Sequence, residues 1–185
     1  PKTLVEALRY AAGQDIELRF QDRPGRVTAY RYREVLERAR RVAGALQARG
    51  IQPGDRVALI LPTSIHFYDA FFGVLFAGAI PSALYPPVRL GLLSEWKQRT
   101  AAMLRRLPAK LVLTDKRLLG LVGHPTTAAQ IPLGALKVAD LLDSKPPQFD
   151  AVPRVNDLAF VQFSSGTTGD PKPVGLSHYL SLIHI

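Results

Sequence analysis

The sequence predicts an α/β fold, with a mostly parallel sheet flanked by helices and an early β-hairpin ahead of it. Three observations carry that expectation. Short, mostly apolar runs of strand length recur at residues 57–61, 79–84, 110–114 and 158–163. Segments with helical spacing separate them. Residues 57–84 compress strand, helix and strand into one βαβ unit, which imposes parallel pairing.

Each element has a local reason. Residues 4–12 read as a helix capped by Thr3, with Leu4, Leu8 and Ala11 or Ala12 on one face. Residues 16–20 and 27–32 alternate apolar with polar, and Asp22-Arg23-Pro24-Gly25 between them is a turn, so the pair reads as a hairpin. Val35, Ala39, Val42 and Leu46 then form one apolar helical stripe. Glu34 with Arg38 and Glu37 with Arg41 are acid-first pairs one turn apart, and Gly50 suits the left-handed position after the helix. Gln52-Pro53-Gly54-Asp55 is a turn into the strand at 57–61, which Pro62 ends. Thr63 or Ser64 can cap the next helix, running through Phe76 and closed by Gly78.

Residues 65–84 approach the length of a membrane span, but His66, Asp69, Gly78 and Pro81 interrupt them, and a doubly covered core strand explains the apolarity better. Tyr85-Pro86-Pro87 is a stiff connector. Ser94 is expected to cap a helix reaching about Leu107, with Trp96, Thr100, Met103 and Leu107 on one face. Residues 120–153, rich in Pro, Gly and Thr, read as irregular surface structure with one helical turn near 138–142.

Composition narrows the function classes. With 47% hydrophobic and 21% charged residues over 185 positions, the chain has the make-up of a folded domain with a real core. It has no cysteine, which removes disulfides, thiolate metal sites and a cysteine nucleophile. His66, His124, His178 and His184 show no metal-ligand spacing, so no metal-binding residue is assigned. The net charge of +9 is spread as arginine among glutamates on helical segments, which disfavours a nucleic-acid partner. The chain starts at Pro1 without a charged-then-apolar leader and stops in the apolar Leu182-Ile183-His184-Ile185, so a piece of a longer, cytoplasmic protein is expected.

The strand at 158–163 runs into Ser164-Ser165-Gly166-Thr167-Thr168-Gly169-Asp170-Pro171-Lys172. Gly166 and Gly169 let the backbone turn so that N–H groups approach oxygens closely. Ser164, Ser165, Thr167 and Thr168 add hydroxyl donors, and Lys172 adds a cation on a flexible stem. A Walker loop requires four residues between its glycines and a lysine directly after the second; here two residues intervene, and Asp170-Pro171 precedes Lys172. Composition alone would describe a flexible turn.

The order of these residues, before Val174-Gly175-Leu176-Ser177-His178, resembles the signature of the AMP-forming adenylating superfamily. One position departs from the usual pattern, with Pro173 where glycine commonly follows the lysine. Gly50-Ile51-Gln52-Pro53-Gly54-Asp55-Arg56-Val57-Ala58 is similar to an early strand motif of that superfamily. Phe71-Phe72-Gly73, Ala77-Gly78-Ala79-Ile80-Pro81 and Tyr85-Pro86-Pro87-Val88-Arg89 look closest to its fatty acyl-AMP ligase and fatty acyl-CoA synthetase branch.

The resemblance implies that residues 1–185 are the N-terminal part of the large adenylating domain, without the small C-terminal domain. It implies attack of a carboxylate, a fatty acid in the branch named, on the α-phosphorus of ATP with Mg²⁺. Pyrophosphate would leave and the acyl group would pass to coenzyme A or the phosphopantetheine of an acyl carrier protein. Ser164, Ser165, Gly166, Thr167, Thr168, Gly169 and Lys172 would hold the nucleotide, with Thr167 and Lys172 acting on the departing phosphates. The residues that hold adenine, the acid that ligates Mg²⁺ and the C-terminal catalytic lysine would lie beyond residue 185, so residues 1–185 alone are expected to be inactive. An amino-acid adenylation domain and a non-catalytic nucleotide-binding or interaction module remain alternatives. His178 could approach the site or serve the helix after it, while His66 and His124 are expected to be ordinary residues.

Overall fold

A computed structural model describes residues 1–23, 25–87, 90–164 and 171–183. The elements are α1 (Leu4–Ala12), β1 (Glu17–Arg23), β2 (Arg26–Arg31), α2 (Tyr32–Ala48), β3 (Arg56–Ile60), α3 (Ile65–Phe76), β4 (Ile80–Ala83) and α4 (Leu93–Arg106). They continue with β5 (Ala109–Thr114), α5 (Leu119–Ala128), β6 (Ala135–Lys137), β7 (Leu158–Ser164), β8 (Lys172–Ser177) and α6 (His178–Ile183). β1 and β2 form the antiparallel hairpin, and the other six strands form one sheet in the order β6-β5-β3-β4-β7-β8. All neighbours in it are parallel except β7 and β8.

The continuous apolar run of β3 is explained by burial on both sides. Val57, Leu59 and Leu61 join the cluster built with α1, α2 and α3, while Ala58 and Ile60 face the cluster that holds Met103 and Leu104 of α4 and Val122 of α5. Alternate residues of one strand therefore serve two cores, the pattern of a doubly covered parallel sheet. On α2 the predicted stripe is buried at Val35, Ala39, Val42 and Leu46, and Gly50 takes a φ of 82° after the helix. α2 packs closely on α3 because Gly73 has no side chain: a Cβ there would lie 2.5 Å from Val42 Cγ1.

Several expectations are corrected. Arg38 makes its direct contacts across to Asp69 on α3, with Glu34 adding only a weaker attraction, and Arg41 donates to the carbonyl of Leu142 (3.3 Å). Glu34 instead accepts from the Arg31 N–H at the start of α2. Ser94 lies inside the first turn of α4, because a 3₁₀ turn at Leu90–Leu92 leads into a helix already begun at Leu93. Residues 120–153 contain more order than their composition suggests. α5 forms despite Gly120, Gly123 and Pro125, started by Asp115, whose carboxylate accepts from the Arg117 and Leu118 N–H groups at 2.9 Å each. β6 extends the sheet beside β5, while the helical turn expected near 138–142 does form, as a 3₁₀ turn at Val138–Leu141. Among the described residues, no helix is long and apolar enough to cross a membrane.

Candidate nucleotide site

The chain leaves β3 for α3 on one face of the sheet, and leaves the adjacent β4 for α4 on the other. Two neighbouring strands whose connections depart to opposite faces open a crevice beyond their carboxyl ends, the usual place for a ligand in such sheets. A cavity of about 520 Å³ lies there. Leu61, Pro62 and Thr63 after β3 and Ala83, Leu84, Tyr85 and Pro86 around the end of β4 form its two lips. Phe67 and Tyr68 of α3, Met103 of α4, and Gln162 and Phe163 of β7 complete the lining.

The walls are braced from behind. Phe20 of the hairpin meets Tyr30 and Tyr68 edge-on at 6.1 and 5.8 Å between ring centroids, so β1 and β2 support the aromatic wall of α3. α3 itself is pinned by Asp69, which is 0% exposed. Its carboxylate accepts from Arg38 Nε (2.9 Å) and Nη2 (2.7 Å), and lies 3.2 Å from His66 Nδ1. The two hydrogen bonds to Asp69 raise the Arg38 pKa above its already high ordinary value, against the opposing effect of burial. On the opposite lip, Trp96 Nε1 donates to the Tyr85 carbonyl at 2.8 Å.

β7 carries the chain from this crevice into the Ser/Thr/Gly loop. Ser164 closes β7 and is paired in register with Lys172, the first residue of β8, while Phe163 pairs with Pro173. Both Ser164 and Lys172 are exposed, and Ser164 Oγ lies 3.5 Å from the Lys172 carbonyl. Pro173 is tolerated because β8 is an edge strand, where a missing N–H need not break the ladder. Ser165, Gly166, Thr167, Thr168 and Gly169 lie outside the described residues. The structure thus brings together the two roots of the loop: Ser164 ends β7, the strand whose Gln162 and Phe163 line the cavity, and Lys172 begins the neighbouring β8. Among the described residues, no group of three or more His, Asp or Glu is placed to hold a metal.

His178 belongs elsewhere. It is 1% exposed at the start of α6, and its Nδ1 accepts the Leu4 N–H at 3.1 Å, tying α1 to the end of β8. Burial lowers its pKa below the ordinary histidine value, although Asp157 and Glu6 oppose the shift. His178 is a structural residue. At the start of β3, burial pushes the Asp55 carboxyl up, but the Gln52 N–H and the Lys110 ammonium, at 2.7 and 2.9 Å, outweigh it and hold the pKa low. Asp55 thereby ties the turn before β3 to β5.

Sequence reasoning did not single out Thr63, Phe67, Tyr68, Met103, Gln162 or Phe163 as site residues. The available signal was positional: Thr63 and Tyr85 follow the carboxyl ends of adjacent strands with opposite crossovers.

The chain is 33% identical over 150 residues to phenyloxazoline synthase MbtB of Mycobacterium tuberculosis, covering 80% of this chain and 9% of that protein. It is 30% identical to the medium-chain-fatty-acid–[acyl-carrier-protein] ligase JamA of Moorena producens, covering 98% of this chain and 32% of that one. A structure from work on fatty acyl-adenylate ligases of E. coli and L. pneumophila superposes with a TM-score of 0.87 at 31% identity. It covers 95% of this chain and 32% of its own. The chain therefore spans a third or less of the length of these relatives. Residues 10–184 match the model of the AMP-binding enzymes, and the chain belongs to that family.

Proposed function

We propose that the protein carrying this chain activates a carboxylic acid with ATP, forming an acyl-adenylate and pyrophosphate, and passes the acyl group to a thiol. The observation that supports this most is the junction of β7 and β8, where a loop with the residue order of the family's phosphate-binding signature emerges beside the switch-point crevice. Residues 1–185 would form the front of the large domain, with the small C-terminal domain supplied by chain outside them.

In this reading Ser164, Ser165, Gly166, Thr167, Thr168 and Gly169 cradle the phosphates, and Thr167 with Lys172 stabilises charge on the departing pyrophosphate. Mg²⁺ would enter bound to the nucleotide, neutralising phosphate charge; the described residues contain no carboxylate cluster to hold it. A fatty acid as substrate and a carrier protein as acceptor are favoured by the likeness to JamA and to the fatty acyl-adenylate ligase structure. The apolar and aromatic lining by Leu61, Phe67, Leu84, Met103 and Phe163 fits an uncharged acyl group. The likeness to MbtB favours a second reading, an adenylation domain within a larger synthase.

ATP–pyrophosphate exchange by the complete protein, against fatty acids of graded length and a panel of amino and aryl acids, tests the proposal. Exchange that depends on a fatty acid is expected. Exchange only with amino or aryl acids would favour the second reading, and none with any acid would defeat both.

A further inference from the structure

We propose that Arg106, on α4, is a positioning residue for the nucleotide loop: it holds the carbonyl of Pro171 and so fixes the approach of the backbone to Lys172. The assignment rests on the reading that Lys172 meets the phosphates. Arg106 Nη1 donates to the Pro171 carbonyl at 2.8 Å, a contact between residues 65 apart in sequence. Pro171 is buried and Lys172 is exposed, so the peptide that Arg106 grips joins a covered residue to the exposed lysine.

That peptide is planar, and its carbonyl belongs to the same rigid unit as the Lys172 N–H. Holding the oxygen therefore orients the bond that enters Lys172. On the far side, Pro173 restricts Lys172 to extended backbone conformations, the state it has at the start of β8. Arg106 and Pro173 thus constrain the lysine backbone from both directions. Pro173, the departure from the usual glycine, acquires a role: it limits the directions in which the Lys172 side chain can leave the strand.

The same helix serves other parts of the rim. Trp96 donates to the Tyr85 carbonyl, and Met103 lines the crevice. Trp96, Met103 and Arg106 are spaced seven and three residues apart, so they fall on neighbouring parts of one helix side. α4 therefore links the lip after β4 with the root of the loop. Arg105 turns to α5 and donates to the Ala128 carbonyl at 3.1 Å, which makes it an internal control.

The test compares Arg106→Gln, Arg106→Lys and Arg105→Gln in the complete protein, with pyrophosphate release followed at varied ATP and varied acid. Losing a charge-assisted hydrogen bond to the loop is expected to raise the KM for ATP about tenfold in Arg106→Gln. The KM for the acid should stay unchanged, Arg106→Lys should recover part of the effect, and Arg105→Gln should match wild type. Because Arg106 acts through Lys172, Arg106→Gln should add little to Lys172→Ala. Unfolding midpoints of every variant separate these effects from a fold defect. If Arg106→Gln folds poorly, Arg106→Met, which keeps the apolar stem without any donor, carries the test, and a wild-type KM for ATP in it overturns the assignment. A normal KM for ATP in well-folded Arg106→Gln, an equal rise for the acid, or full additivity with Lys172→Ala overturns it as well. Wild-type protein that releases no pyrophosphate with any acid defeats the underlying reading, and the assignment with it; an active wild type with an unaffected Arg106→Gln defeats the assignment alone.

Discussion

Replacing Asp69 with alanine should destabilise the protein by about 3 kcal/mol, at the lower end of the range for breaking a buried ion pair. Asp69 is 0% exposed and supplies both oxygens to Arg38, at 2.9 and 2.7 Å, with His66 at 3.2 Å. Its removal leaves the guanidinium without its paired acceptors between α2 and α3. Arg38 retains 29% side-chain exposure and lies 5.9 Å from the Tyr30 ring, so it can regain some water and keep one favourable contact. That escape route is why the lower figure applies. Denaturant unfolding of the complete protein, followed by circular dichroism, measures the loss, and heating should lower the midpoint of the transition that includes α2 and α3. Arg38→Ala combined with Asp69→Ala should cost less than the sum of the single changes, by about 1–3 kcal/mol. A single-variant loss below about 1 kcal/mol, or strict additivity, would refute the claim that the pair pins α3.

Two further outcomes follow from the packing. Gly73→Ala should be strongly destabilising, because its new Cβ would lie 2.5 Å from Val42 Cγ1 and 3.1 Å from the Ala39 carbonyl; an unfolding midpoint equal to wild type would contradict that close helix approach. His178 should make stability fall on acidification. Its folded pKa is depressed, so full stability holds above the ordinary value of about 6.5 and is lost as pH falls through that value toward the lower folded one. His178→Asn keeps an acceptor for the Leu4 N–H without the titration, so its unfolding free energy should vary less between pH 7.5 and about 5 than that of wild type. Equal pH slopes for the two proteins would exclude the assignment.

What could be read from the sequence was local and strongly patterned. The stripe of α2, the strand-helix-strand unit of β3, α3 and β4, and the strand leading to Ser164 all carry their own periodicity, and each formed as expected. The loop from Ser164 to Lys172 stood out only through its residue order, which resembles the family's signature; residues 165–169 lie outside the described residues, so its role stays a proposal. α5 was not legible, because Gly120, Gly123 and Pro125 oppose a helix locally and burial of Val122, Pro125 and Thr126 overrides them. Arg38 was assigned to Glu34 by spacing, yet a fully buried carboxylate on another helix is the more demanding partner. The crevice eluded sequence reasoning for a similar reason: Tyr68, Met103 and Gln162 come from three elements, and only the opposite crossovers after β3 and β4 bring them together. Arg106 reaches Pro171 across 65 residues, a relation no spacing rule encodes.

Whether Lys172 meets the nucleotide phosphates is decided by Lys172→Ala in the complete protein, assayed by ATP–pyrophosphate exchange with its preferred acid. If Lys172 stabilises the departing pyrophosphate, the exchange rate should fall by about tenfold or more, with the unfolding midpoint unchanged because the side chain is exposed at the start of an edge strand. Exchange at the wild-type rate would mean that the loop at the β7–β8 junction holds no nucleotide phosphate through its lysine, and would overturn the proposed role.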